Sequence, residues 1–176
     1  MTTDTIDRTE STDPSPMPVA TPAPVADGGA HRSTAAIGGH PIHPAIVPIP
    51  IGMIVATALS DLAHLLTRDG FFARASRFLV AGSIVSALVA AIPGIVDFST
   101  IRAARGRSGF AHAGGNLTIV GLSALSLILR NGSRRRVPAA AMALSALAAA
   151  LVGVTGWLGG ELTFRERIGV VPLDDR

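Results

Sequence analysis

Apolar residues fall in four long blocks separated by short polar breaks. The first, Ala45 to Leu66, has only Asp61 and His64 as ionisable residues, both near its end; the others run roughly from Phe78 to Val96, Phe110 to Leu129 and Val137 to Leu162. Each is close to the about 20 residues that cross a hydrocarbon core of about 30 Å as a helix. A soluble bundle would need polar outer faces, and "AAAMALSALAAALVGVTGWL" has none. Buried strands are disfavoured by block length and by the Ala and Leu content. The pattern predicts an all-α fold, a four-helix transmembrane bundle with helices at about 45–66, 72–97, 110–130 and 137–162.

The breaks are informative in turn. Residues 1–37 are rich in Thr, Pro and Asp and carry too little apolar mass to offset ordering entropy, so a disordered tail is expected there, with a short C-terminal tail at 172–176. The N-terminus lacks a basic start followed by an apolar stretch, so the first helix is expected to act as the targeting signal. The first connection turns at "TRDG", with Gly70 expected to stop the helix. Asp61 and Arg77 lie eight residues either side of Asp69, at similar depth in an antiparallel hairpin. An Asp61–Arg77 ion pair is expected, unless both side chains snorkel to the headgroups.

Charge sets the orientation only weakly. With four passes, Arg32, Arg102, Arg105, Arg107, Arg165 and Arg167 share one side, and Arg68, Arg74, Arg77, Arg130, Arg134, Arg135 and Arg136 the other. The denser third connection, "RNGSRRR", points inward by the positive-inside rule and leaves both termini outside a bacterial inner membrane. All 15 basic residues are Arg, Tyr is absent and no basic stripe is interleaved with aromatics, so the positive charge does not indicate nucleic acid. With no Cys there is no disulfide, thiolate zinc site or c-type haem attachment.

Alternating helix direction gathers a polar set at the side of the termini. His40 and His43 precede the first helix, Asp97 closes the second, His112 and Asn116 open the third, and Trp157 and Glu161 close the fourth. Prolines in "HPIHP" are expected to hold both imidazoles on an extended strap across the bundle mouth. His40, His43 and His112 are candidates for axial ligation of a b-type haem. Alternatively, His40, His43, Asp97, His112 and Glu161 form a transition-metal site, with Asn116 and Trp157 supporting the ligands from behind. Gly114, Gly115, Gly156, Gly159 and Gly160 would let backbone approach a flat ring or simply let helices pack. Pro93 and Gly94 are expected to free carbonyls nearby. His64, near Asp61 at the other side, is a helix length of about 30 Å away and outside this set; His31 is expected to be solvated in the tail.

Three functions stay open: a membrane redox or metal-binding subunit, a structural or partner-binding membrane protein without cofactor, and a small transporter. Helix middles with nothing more polar than Ser and Thr argue against transport. Ser83, Ser86, Ser123 and Ser126 lack a basic partner in the sequence pattern, which disfavours a classical enzyme; bonding to helix backbone is expected for them.

The motifs "GGHPIHPAIVPIPIG", Asp61, "PGIVDF", "HAGGN" and "GWLGGEL" followed by "IGV", in this order over residues 38–171, resemble a bacterial membrane-protein family known as domain of unknown function 2231. The resemblance implies a four-helix membrane domain. Some similar proteins are joined to Rieske-type or other redox domains, which implies an electron-transfer role; here such a redox partner would be a separate protein, met at the lipid bilayer.

Overall fold

The computed structural model describes residues 29–132 and 135–170. After a small hairpin of β1 (Ala36–Ile37) and β2 (His40–Pro41), the chain runs through a short helix α1 (Ile42–Ile46) directly into α2 (Pro48–Thr67), then α3 (Gly70–Thr100), α4 (Arg107–Leu129) and α5 (Ala139–Gly160). With their terminal turns, four helical segments, Ile42–Thr67, Gly70–Thr100, Arg107–Gly132 and Ala139–Arg165, are long and apolar enough to cross a membrane. Helices α2, α3, α4 and α5 form a square in which each packs on its two neighbours, α5 closing the ring against α2.

The inside of the square mixes small polar residues with apolar ones, and its outside is apolar. Buried positions advance by alternating steps of three and four: Pro50, Ile54, Thr57, Asp61 and His64 on α2; Ala73, Ser76, Val80 and Ser83 on α3; Ile119, Ser123 and Ser126 on α4; Ala141, Ser145, Ala148, Val152 and Thr155 on α5. That spacing is the seam of helices packed at a shallow crossing angle. Small side chains let backbones approach; most of the hydroxyls bond to their own helix backbone, while Ser126 reaches the Ala141 carbonyl and Ser145 across the gap. The bulky residues Leu59, Leu62, Phe78, Val85, Leu88, Ile92, Leu125 and Val154 face outward. In water this would be an inverted protein; in lipid the apolar side chains meet an equally apolar solvent.

The connections differ in places from the expected ones. Gly70 begins α3 and does not stop the preceding helix: the turn is made by Arg68 in the left-handed region at φ 58°, and the Asp69 carboxylate accepts from the Phe71 N–H as N-cap. Pro44 lies inside α1, where helical N–H groups are still unpaired, so His43 is helical and only His40 sits on extended chain. Gly38 and Gly39, with φ of 55° and 80°, make the two-residue loop of the hairpin. The part of the expected disordered tail at 1–28 and the short C-terminal tail at 172–176 lie outside the described residues. Residues 29–37, expected in the same tail, carry structure: His31 bridges in parallel to Ile168, its N–H donating to the Arg167 carbonyl at 2.9 Å and its carbonyl accepting from Gly169 at 2.7 Å.

Candidate functional site

At the side of the termini, the first turn of α1 carries His43 and the second turn of α4 carries His112. Their ring centres are 6.5 Å apart and the rings are perpendicular, at 86°. His43 Nδ1 lies 2.8 Å from the Ala90 carbonyl of α3, and His112 Nδ1 lies 2.9 Å from the Thr155 carbonyl of α5. A carbonyl only accepts, so both Nδ1 atoms carry the proton and donate. In each neutral imidazole the lone pair is thereby left on Nε2. Among the described residues neither Nε2 has a hydrogen-bond partner.

Both rings rest against glycine. A Cβ on Gly94 would come within 2.9 Å of His43 Nδ1, and one on Gly159 within 3.2 Å of His112 Cε1. The flat ring served by Gly159 is therefore the imidazole of His112. Gly115 receives the Thr155 methyl, while Gly114 and Gly156 face open space. Pro93 lacks the N–H that would bond the Val89 carbonyl, which slackens the turn whose Ala90 carbonyl holds His43.

The remaining polar residues of this side have other partners. The Asp97 carboxylate accepts from Ser33 Oγ at 2.7 Å, from the Thr34 N–H and hydroxyl at 2.8 and 3.1 Å, and from the Ala35 N–H at 3.0 Å. It anchors the segment before the hairpin, which bonds further through Thr34 to Thr100. Glu161 pairs with Arg165 at 2.8 Å. The Asn116 amide donates to the His112 carbonyl one turn back, Trp157 is exposed on the outer surface, and His40 is exposed on the hairpin. Among the described residues no three His, Asp or Glu side chains converge as a metal site.

At the opposite side stands a polar centre that sequence reading did not find. Arg130, 1% exposed, grips Asp61 through two parallel bonds, Nη1 to Oδ1 at 2.8 Å and Nη2 to Oδ2 at 2.6 Å. Nη1 also donates to Ser76 Oγ at 2.7 Å, Nη2 to Ser145 Oγ at 2.7 Å, and Nε to Ser126 Oγ at 3.2 Å. The expected Asp61–Arg77 pair is thus replaced. Arg77 points outward, donating to the Arg130 carbonyl and to Asn131 Oδ1, because Asp61 faces the bundle axis, which Arg130 enters from the end of α4. Position 130 reads in sequence as one of four loop arginines; the signal available was its spacing of four and seven from Ser126 and Ser123, which continues the buried seam. His64 is buried beside this centre, with Nδ1 on the Asp69 carbonyl at 2.9 Å.

Four apolar helices closed around a polar seam define a multi-pass membrane protein. Residues 39–172 match the family described as "Predicted membrane protein (DUF2231)", so the chain belongs to that family. No curated protein and no solved structure matches it.

Proposed function

We propose that the protein is a small electron-transfer subunit of the bacterial inner membrane, with a b-type haem held between His43 and His112. One observation carries this reading: two imidazoles from different helices, each oriented by a backbone carbonyl through Nδ1, present free Nε2 atoms with ring centres 6.5 Å apart. His43 and His112 would hold the haem through these Nε2 atoms. A carbonyl on the distal nitrogen is the arrangement that fixes ring orientation and raises ligand basicity. A bare transition ion would need further protein donors, and Asp97 and Glu161 are already bonded to neighbours. A haem would need only two protein donors, which His43 and His112 would supply, and it would bring one-electron redox chemistry. His40, on the exposed hairpin, is left with no role in ligation. Electrons would come from or go to a separate redox protein.

The same bonds favour a second reading. Each imidazole joins two helical segments, α1 to α3 and α4 to α5, so both can serve as ties without cofactor.

Purification in mild detergent from cells supplied with haem, followed by visible spectra and elemental analysis, separates the two. A Soret band that shifts on reduction and is lost in both His43→Ala and His112→Ala, with the fold retained, supports the haem reading. A colourless, metal-free protein whose thermal stability falls in the same variants supports the ties.

A further inference from the structure

Above the Arg130–Asp61 pair, in the middle of the bundle, lies a cavity of about 10 Å³ lined by Ile54, Thr57, Val80, Ser83, Ser123, Ser145 and Ala148. Each long helix gives it one hydroxyl: Thr57 from α2, Ser83 from α3, Ser123 from α4 and Ser145 from α5. We propose that this cavity is a binding site for a single structural water, held by Ser123 and two of the other three hydroxyls, and joined through Ser145 to the arginine below.

The hydrogens on the four hydroxyls select the occupant. Thr57 donates to the Met53 carbonyl at 2.8 Å, Ser83 to the Val80 carbonyl at 2.8 Å and Ser145 to the Ala141 carbonyl at 3.0 Å, so these three have only lone pairs to offer the cavity. Ser123 differs. It is 4% exposed, it lines the cavity, and among the described residues its hydroxyl has no partner. An acceptor is therefore needed opposite Ser123 and donors opposite the others; a water supplies its oxygen to Ser123 and its two hydrogens to two of the three acceptors. An anion would meet a single donor. A cation would meet oxygens but no carboxylate, with the Arg130 guanidinium 2.7 Å behind Ser145. The volume is near the lower limit for one water, and two to four polar partners are what such a water requires.

Toward the histidines, Ile54 and Ala148 of its lining pack with Ile119 and Val152 as an apolar cluster. The water links helices.

The test is an experimental structure of the full chain, determined in lipid at a resolution that shows ordered water, beside Ser123→Ala. A peak within hydrogen-bonding distance of Ser123 Oγ and at least two of the other hydroxyls, absent in the variant, is the expected result. Thermal unfolding should then fall by about 2–4 °C in Ser123→Ala, and not in Thr118→Ala, an exposed hydroxyl of the same helix. An empty cavity with Ser123 turned onto its own helix backbone overturns the proposal. So does stability that rises in sodium relative to potassium salts, which would assign the site to a cation.

Discussion

Arg130 bonds to side chains from every other long helix, so its removal is felt throughout the bundle. Breaking a buried pair by removing one partner strands the other charge, a loss of about 3–5 kcal/mol. Arg130→Met and Asp61→Leu should each destabilise by that order in detergent-induced unfolding. The double variant should recover much of the loss, because neither charge is then left unpaired. Asp97 works at the other side in a milder way. Asp97→Asn weakens several of the bonds that hold Ser33, Thr34 and Ala35, and limited proteolysis should cut the segment before the hairpin faster while the helices stay intact. Sequence reading placed Asp61 and Asp97 at the right depths but paired Asp61 wrongly. Depth follows from counting along a helix; the facing partner depends on rotation about the axis, which a uniformly apolar surface does not reveal.

At the level of the helix, small residues divide into those that permit a contact and those that merely face lipid. Gly109, in the first turn of α4, is of the first kind: a Cβ there would lie 1.7 Å from the Ala104 carbonyl oxygen and 3.5 Å from the Phe98 ring. Gly109→Ala should prevent the turn after α3 from closing under α4 and sharply reduce the yield of folded protein. Gly121 and Gly153 have nothing within 4 Å of such a Cβ. Alanine at either should be neutral or slightly stabilising, by up to about 1 kcal/mol from helix propensity, with thermal midpoints as the measure. The existence of four helices was legible because block length and the lack of charge override all other signals. Their inner faces were not, since Ala, Ser and Gly occur all round, and only the alternation of three and four steps distinguishes inside from outside.

For the molecule as a whole, orientation turns on the arginines flanking the spans. With Arg130 buried in its pair, six arginines remain near the span ends on each side, Arg68, Arg74, Arg77, Arg134, Arg135 and Arg136 against Arg32, Arg102, Arg105, Arg107, Arg165 and Arg167. The cluster in the third connection still favours that side as the inner one. The chain has no native cysteine, so single substitutions report topology cleanly. A membrane-impermeant thiol reagent applied to intact cells should label Ile37→Cys and Ala103→Cys but not Asn131→Cys; the reverse pattern would invert the orientation. The gathering of His43 and His112 at one side followed from alternation of passes alone. That Asp97 and Glu161 are occupied elsewhere did not, because their partners lie in a segment and a terminal turn too polar to be placed by hydropathy.

The arginine–aspartate pair also bears on how the protein is made. Its members are 69 residues apart in the chain. At about 5–20 residues per second, Asp61 enters the bilayer several seconds before its counter-charge has been synthesised. During that interval the first helical hairpin is an incomplete product with a bare carboxylate on its inner face, visible to membrane quality control. Nascent chains ending before Arg130 should be degraded faster than chains that include it. Translation speed across the second hairpin would then set how much protein survives to be assembled.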